Sequence, residues 1–318
     1  MIEALAETLR GSRSIAGKAD IATVAARLGI GGGDAVPVGD DAAAIPDGDG
    51  HLLLAIEGFM NEFVAADPWF AGWCGVMVNL SDIAAMGGRA IAVVDALWAE
   101  GEAQASPVLD GLRAASRAYG VPLVGGHSNL RTDRGQLAVA ILGRARRLLT
   151  SFDAEPGDRL VAAIDLRGRY REPFANWEAA TEAPPERLRG DLALLPVIAE
   201  VGLSRAAKDI SQGGVVGTAA MFCEASGVGA SIDVLAVPRP DGVALERWLL
   251  TFPSFGYLLA VKPDDVPAVL ERFTARGIAA ADIGGFTPGH RLAIAMEGRE
   301  ALIRDLAEAP LLGCAPPA

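Results

Sequence analysis

Apolar and charged positions alternate at helical spacing through residues 1–29, and the run stops at Gly29 and the Gly31-Gly32-Gly33 loop. Residues 51–56 form a short apolar run that predicts a strand. Asp67-Pro68 puts an N-capping carboxylate before a proline at the first helical position, and the helix so opened is predicted to reach about Met86, where Gly87-Gly88 ends it. Residues 91–98, 123–124 and 137–142 predict strands, with a helix over 106–119. Strands alternating with helices predict an α/β or α+β sheet domain up to about residue 149.

The pattern resumes after the turn Glu155-Pro156-Gly157-Asp158 with a strand over 159–164. Residues 168–185 are polar, aromatic and proline-containing, and predict an irregular insertion or lid. A helix follows over about 186–201, then a short segment into Asp209-Ile210-Ser211, then a helix opened by Gly213-Gly214 and reaching about Ser226. Residues 257–261, 264–276, 278–283 and 292–296 repeat strand, helix and strand. The expected domains are therefore 1–149 and 150–318, with no short-period repeat and no low-complexity tract.

Composition sharpens this picture. A chain of 318 residues that is 51% hydrophobic can bury a core in each of two domains. A net charge of −12 argues against nucleic acid or an anionic membrane as partner, since both reward clustered Lys and Arg. An acidic chain that handles an anionic ligand needs a counter-charge, and a divalent cation is the obvious candidate. Cys74, Cys223 and Cys314 are far apart and form no CxxC pair, which predicts buried reduced thiols rather than a zinc site. His51, His127 and His290 form no metal-ligand pair. The N-terminus lacks the apolar core of a signal peptide, and no apolar run reaches the roughly 20 residues of a membrane span. A soluble, cytoplasmic protein is expected.

The common phosphate signatures, G-x-x-x-x-G-K-[ST] and a G-x-G-x-x-G after a strand, are missing, and so is a G-x-S-x-G elbow. Four acidic or glycine-rich turns remain. In Val38-Gly39-Asp40-Asp41-Ala42-Ala43 two adjacent carboxylates repel, and either a cation or plain solvation relieves them. In the helix expected from Pro68 to about Met86, Trp73, Val76, Met77, Leu80 and Ala84 share one apolar face, while Asn79 and Asp82 project together from the other. That pair suits a metal or polar ligand, or is an ordinary solvent face. Val124-Gly125-Gly126-His127-Ser128-Asn129 leaves a strand with glycines that let backbone amides approach an anion, or simply turns the chain. Lys208-Asp209-Ile210-Ser211-Gln212-Gly213-Gly214 leads into a helix whose free amides favour an anion, unless Ser211 or Gln212 is a plain cap.

Taken in order, these segments resemble the superfamily of aminoimidazole ribonucleotide synthetase, selenophosphate synthetase, thiamine-monophosphate kinase and the hydrogenase-maturation dehydratase. The Gly39-Asp40-Asp41-Ala42-Ala43 turn resembles the kinase. Asp67-Pro68-Trp69-Phe70, residues 79–88 and Gly125-Gly126-His127-Ser128 are closer to selenophosphate synthetase, and residues 209–214 match the DIS-x-GG turn of the whole group. An AIR synthase-related branch is the best match. The resemblance implies a PurM-like α+β fold: an N-terminal sheet domain that dimerises, and a C-terminal α/β sandwich. It implies ATP and Mg²⁺ as cofactors, with a small metabolite, phosphate-bearing or not, as phosphoryl acceptor or as the group activated. By residue-wise transfer Asp40, Asp41, Glu57, Asp82 and Asp209 hold metal, while Asp40, Asn79, Gly125, Gly126, Gly213 and Gly214 contact nucleotide or phosphate. Asp209, Gln212, His127 and Lys18 are the catalytic candidates.

The departures from the family pattern concern the acceptor. Glu57 replaces an Asp after the first strand, His127 replaces the Asp of the kinase's GGD turn, and Gln212 replaces the Asp of its SDG turn. No cysteine precedes Cys74, so the reactive N-terminal Cys of the selenium enzyme is missing. Alongside an ATP-using enzyme stands the alternative of a nucleotide-binding regulator or scaffold of the same fold with little turnover. A homodimer is expected through the first domain, because the apolar strands at 91–97 and 137–142 need cover on both faces.

Overall fold

The computed structural model describes residues 1–30 and 36–313; the Gly31-Gly32-Gly33 loop and Cys314 lie outside the described residues. The chain begins with helices α1 (Ile2–Arg10), α2 (Arg13–Ala16) and α3 (Asp20–Leu28), the last ended by Gly29 in the left-handed conformation. Strands β1 (Ala43–Asp47) and β2 (Gly50–Phe59), helices α4 (Asn61–Ala66) and α5 (Pro68–Ala85), strand β3 (Arg89–Glu100), helix α6 (Glu102–Tyr119) and strands β4 (Leu123–Asn129) and β5 (Arg131–Ala145) follow. Next come β6 (Arg159–Ile164), β7 (Arg169–Tyr170), β8 (Asn176–Glu178), α7 (Pro185–Leu192), α8 (Leu194–Val201), β9 (Ala206–Asp209) and α9 (Gly214–Ser226). The chain closes with β10 (Gly229–Asp233), α10 (Leu245–Leu249), β11 (Phe252–Pro253), β12 (Gly256–Val261), α11 (Val266–Thr274), β13 (Ala279–Thr287), β14 (Arg291–Met296) and β15 (Arg299–Asp305).

These elements form two compact units. The large one comprises Met1–Asp41, Leu148–Ala179 and Val201–Ala318; the small one comprises Ala42–Arg147 and Ala180–Glu200. The expected division into 1–149 and 150–318 differs from this in two places. The first 41 residues belong to the large unit, because Ile2, Ala6, Leu9, Ile15 and Ala25 bury their side chains in its core. Residues 180–200 belong to the small unit, where the Arg189 guanidinium donates to the carbonyls of Arg117 and Ala118 at the end of α6.

The small unit is built on a five-stranded sheet in the order β1-β2-β5-β3-β4, antiparallel except for the parallel pair β3–β4. Helix α5 starts as its sequence predicts, with Asp67 accepting from the Phe70 amide and Pro68 in the first turn. The alternative of an ordinary solvent face falls away: every residue from 70 to 85 is buried, Asn79 and Asp82 included. Glycine explains this. A Cβ at Gly72 would lie 2.0 Å from the Val108 carbonyl oxygen, and one at Gly111 would lie 1.9 Å from that of Trp69. The face of small residues lets α5 and α6 touch backbone to backbone, so α5 is enclosed by sheet and helix together.

The opposite face of this sheet carries Leu54, Ile56, Val94 and Leu142, which are 49%, 69%, 40% and 36% exposed. Strand pairing puts Leu54 opposite Leu142, and Ile56 and Val94 both opposite Ala140, so all four share one surface.

The large unit holds a seven-stranded sheet in the order β15-β14-β10-β13-β6-β12-β9 and a three-stranded one in the order β11-β8-β7. The segment from residue 168, expected to be irregular or a lid, supplies β7 and β8. Trp177 lies edge-on to both Tyr170 and Trp248, with ring centroids 5.2 and 5.3 Å away, and Tyr170 Oη shares a hydrogen bond with Thr251 Oγ1. Its aromatic residues seal a hydrophobic core, which is the usual use of such large side chains.

Candidate active site

The two adjacent carboxylates of the Gly39-Asp40-Asp41 turn have their counter-charge within the large unit. Lys208, next to the last residue of β9, donates its ammonium to Asp41 Oδ1, and the Asp209 amide donates to Asp41 Oδ2 at 3.1 Å. Asp41 and Lys208 side chains are 5% and 4% exposed. Asp40 accepts from the Ser151 amide at 2.8 Å and the Ser151 hydroxyl at 2.6 Å. The sequence reading expected both aspartates to hold metal. In this structure their repulsion is met by a buried ammonium and a serine, and each oxygen of Asp41 accepts a hydrogen bond.

Burial pushes the Asp40 carboxyl up to about 6, although Lys208 pulls against it, and the neighbouring Asp41 charge adds to the rise. Burial alone would lower the Lys208 ammonium, but Asp41 and Asp40 outweigh it and its pKa is raised. The folded state therefore holds the Asp40 proton more tightly than the unfolded chain does. That favours folding most below about pH 4, and the contribution disappears as pH rises through about 6. Asp40→Asn cannot ionise, so its thermal midpoint should gain on the parent's between pH 4 and 7 in calorimetry. A constant difference over that range would mean that Asp40 titrates as an ordinary carboxyl.

The 209–214 turn follows directly. Asp209 ends β9 and is 3% exposed, and the Ile210 amide donates to the Gly256 carbonyl at 2.8 Å. Gly213 and Gly214 take φ of +98° and +61°, values that side chains rarely adopt. A Cβ on Gly214 would lie 2.3 Å from the Leu249 carbonyl oxygen, so this glycine is required by packing whatever ligand the turn serves. Helix α9 starts at Gly214 with Gly213 as N-cap and no side-chain cap, which removes the reading of Ser211 or Gln212 as the cap. An uncapped helix start on a glycine turn favours an anion. Lys18 Nζ donates to Ser211 Oγ at 3.3 Å, so the N-terminal segment brings its ammonium to this turn.

In the small unit, Asn79 Nδ2 donates to the carbonyls of Gly75 at 2.8 Å and Val139 at 3.0 Å, while Asn79 Oδ1 is buried without a donor. Val139 is the centre of one cross-strand row. Glu57 pairs with it from β2 and Asp95 from β3, and Asp95 pairs in turn with Gly126 of β4. Paired residues point to the same face of a sheet, so Glu57 and Asp95 flank Val139 on the α5 side. Asp95 was missed by the sequence reading. It hides within the apolar run Val93-Val94-Asp95-Ala96-Leu97, and a lone charge in a strand between two buried positions was the available signal. Its Oδ2 is buried without a donor, and burial raises its pKa.

Asp95 also accounts for Gly126. A Cβ there would lie 2.3 Å from the Asp95 carbonyl oxygen and 2.6 Å from Asp95 Oδ1. The carboxylate against this glycine opposes a bare anion at the turn, where the sequence suggested one. Gly125 (φ +154°), Gly126 and His127 are exposed on the edge strand β4, and the His127 ring stands 5.8 Å from that of Trp98.

Among the described residues no three His, Cys, Asp or Glu side chains are grouped to hold one ion. Mg²⁺ does not demand such a cage, because it keeps several waters and takes one or two carboxylates plus phosphate oxygens. The buried, donorless oxygens of Asn79 and Asp95 fit a hard cation of that kind, with Glu57 and Asp82 on neighbouring elements.

Comparisons with known proteins agree with this architecture. The family described as AIR synthase related protein matches through its N-terminal domain at residues 39–145 and its C-terminal domain at residues 168–297. An uncharacterized protein of Synechocystis is 49% identical over 89% of this chain and 88% of its own length. Thiamine-monophosphate kinase of Synechococcus elongatus is 28% identical over 73% of this chain and 79% of its own. The PurL subunit of phosphoribosylformylglycinamidine synthase from Rhodopseudomonas palustris is 28% identical over 86% of this chain, which spans only 39% of that protein. Among solved structures, Thermotoga maritima PurL complexed with ATP superposes with a TM-score of 0.73 at 20% identity, covering 87% of this chain and 47% of PurL. A second solved structure, AaThiL complexed with AMPPCP and TMP, gives a TM-score of 0.65 at 20% identity, covering 88% of this chain and 92% of that one. With both domain profiles in sequence and a half-identical full-length relative, the chain belongs to the AIR synthase related family, with its PurM-like two-domain α+β fold.

Proposed function

We propose that this protein is a Mg²⁺-dependent, ATP-using enzyme of the cytoplasm that transfers a phosphoryl group to a small metabolite or activates the metabolite that way. The observation that carries the reading is the 209–214 turn. It joins an uncapped helix start, two left-handed glycines and the Lys18 ammonium next to the buried Asp209. Phosphoryl transfer asks little more of a protein than positioning and charge stabilisation, and Mg²⁺ supplies neutralisation of the phosphate oxygens. In this reading Lys18 and the α9 amides after Gly214, whose own N–H donates to the Ser211 carbonyl at 3.0 Å, hold the moving phosphate, and Asp209 orients the acceptor. Within the small unit, taken by itself, Asn79, Asp82, Asp95 and Glu57 are the residues proposed to hold metal. The relatives support ATP: a kinase acting on thiamine monophosphate by its name, and PurL structures complexed with ATP and ADP.

The test is ADP release in the presence of Mg²⁺ and a panel of candidate metabolites. Stimulation by one acceptor supports the enzyme; nucleotide binding without stimulated release favours the regulatory or scaffold reading, which Gln212 and Glu57 keep in view. Asp82→Asn should weaken Mg·ATP binding at least about tenfold in calorimetry, roughly 1.4 kcal/mol. Unchanged affinity in a folded variant would take Asp82 out of the metal–nucleotide contacts.

The chain is also proposed to be a homodimer through the small unit. Leu54, Ile56, Val94 and Leu142 form an exposed apolar surface of the type that marks an interface in a soluble protein. Light scattering at micromolar concentration should give the mass of two chains, and a monomer would contradict it.

A further inference from the structure

Helix α9 carries a single acid, Glu224, that faces away from solvent at 5% exposure. Its carboxylate is filled by one short piece of chain. Oε1 accepts from the Leu312 amide at 2.9 Å and the Gly313 amide at 2.7 Å, and Oε2 accepts from the amides of Leu311 and Leu312. Three consecutive backbone N–H groups thus converge on one buried carboxylate, while Leu311 and Leu312, at 0% and 2% exposure, fill the core beside it. Hydrogen bonds to a charged acceptor are the strong ones.

At the last residue of this clasp the chain meets α3. Gly313 takes φ +63°, and a Cβ on it would lie 2.8 Å from the Ala22 Cβ. Earlier in the same N-terminal segment, Ile15 is 4% exposed, and its Cγ1 lies 3.3 Å from where a Cβ would stand on Gly213 or Gly217. The segment is therefore seated at two places, Ile15 on the glycine face of α9 and Ala22 on the clasped tail. Lys18 lies between them, with its ammonium on Ser211.

We propose that Glu224 is a positioning residue: by holding residues 311–313 it braces the N-terminal segment that carries Lys18 against the 209–214 turn. The proposal rests on the phosphate reading of that turn for its effect on catalysis, but the brace itself can be tested without it. Glutamine is the informative replacement, since it keeps the shape but turns an NH₂ group toward one of the three amides.

This chain has three lysines, Lys18, Lys208 and Lys262, so acetylation by acetic anhydride can be followed site by site in a mass spectrometer. Glu224→Gln should raise the Lys18 acetylation rate at least about fivefold and speed amide exchange over residues 13–28, leaving the ion-paired Lys208 unchanged. Gly313→Val, which attacks the same clasp from the tail through its positive φ and the Ala22 contact, should reproduce both effects. If the 311–313 amides exchange faster in either variant while Lys18 reactivity and exchange over 13–28 stay as in the parent, the brace is refuted. If Lys208 reactivity rises equally, the variant has loosened the whole unit, and that too counts against a specific brace. The catalytic arm uses acceptor-stimulated ADP release. Glu224→Gln should lower kcat with KM for ATP within about twofold, and should cost nothing further in a Lys18→Ala background. Additive losses would mean that Glu224 does not act through Lys18. If Lys18→Ala alone retains full turnover, the phosphate reading of the turn falls while the acetylation result still decides the brace.

Discussion

Lys208→Met should destabilise the large unit by about 3–5 kcal/mol, because removing one partner of a buried ion pair leaves an uncompensated charge in a dry site. At the size of this unit that corresponds to a fall in thermal midpoint on the order of 10 °C. The severity comes from the company Lys208 keeps. Asp41 pairs with it directly, Asp40 lies next in sequence, and Asp209 adds a third negative charge to those that raise its pKa. Methionine preserves the volume of the stem but leaves two adjacent carboxylates facing one serine and one amide. The same argument sets the pH dependence. Protonation removes the repulsion, so the deficit relative to the parent should shrink as pH falls from 7 toward 5. Asp41→Leu combined with Lys208→Met should recover much of the loss, since an apolar pair of similar volume carries no unpaired charge. A loss below about 1 kcal/mol, or one independent of pH, would show that Lys208 is not the counter-ion of this turn.

This ion pair also indicates what the chain discloses by itself and what it does not. The mutual repulsion of Asp40 and Asp41 is evident from their adjacency, and the need for a cation follows. The source of the cation is not local, because Lys208 is 167 positions from Asp41. Helix ends were legible: the Asp67-Pro68 start and the Gly29 stop are local chemistry, and both occur where their residue types require. The enclosure of α5 was not. Its glycine and alanine face has the same periodicity whether water or the backbone of α6 lies against it, and only the reciprocal glycines Gly72 and Gly111 distinguish the two. Asp95 escaped for a related reason. A single acid in an apolar strand carries no spacing signal, and its meaning arises from a row of four strands that brings it level with Glu57, Val139 and Gly126. The segment after residue 168 is largely irregular as expected, but its prolines and charges mask the two short strands and Trp177, which packs edge-on against Tyr170 and against Trp248 of a later helix.

Asp209→Ala should cut turnover about a hundredfold, the scale of losing one preorganised group at a reacting centre, while Mg·ATP affinity stays within a few-fold. Preorganisation is the reason for separating the two effects. The Asp209 amide is tied to Asp41 at 3.1 Å, the next amide is tied to Gly256 at 2.8 Å, and β9 is paired along its length with β12. A carboxylate on so fixed a backbone needs no ordering when charge moves, so its contribution appears in the transition state rather than in ground-state binding. Because Asp209 also acts on Lys208, alanine removes part of that counter-charge, and stability must be measured beside turnover. Asp209→Asn keeps the shape without the charge and provides the control: turnover should fall nearly as far as in the alanine variant, with a thermal midpoint closer to the parent's. Valine at 214 would be a poor probe of the turn, since the Leu249 carbonyl leaves no room for a side chain there. Gly213→Ala is the milder obstruction, because the nearest atoms to its Cβ are 3.3 Å away, and it should lower turnover through its strained φ without unfolding the unit. If Asp209→Asn and Gly213→Ala both turn over at the parent's rate with an identified acceptor, the turn is only the start of a helix. The phosphate would then have to be held elsewhere.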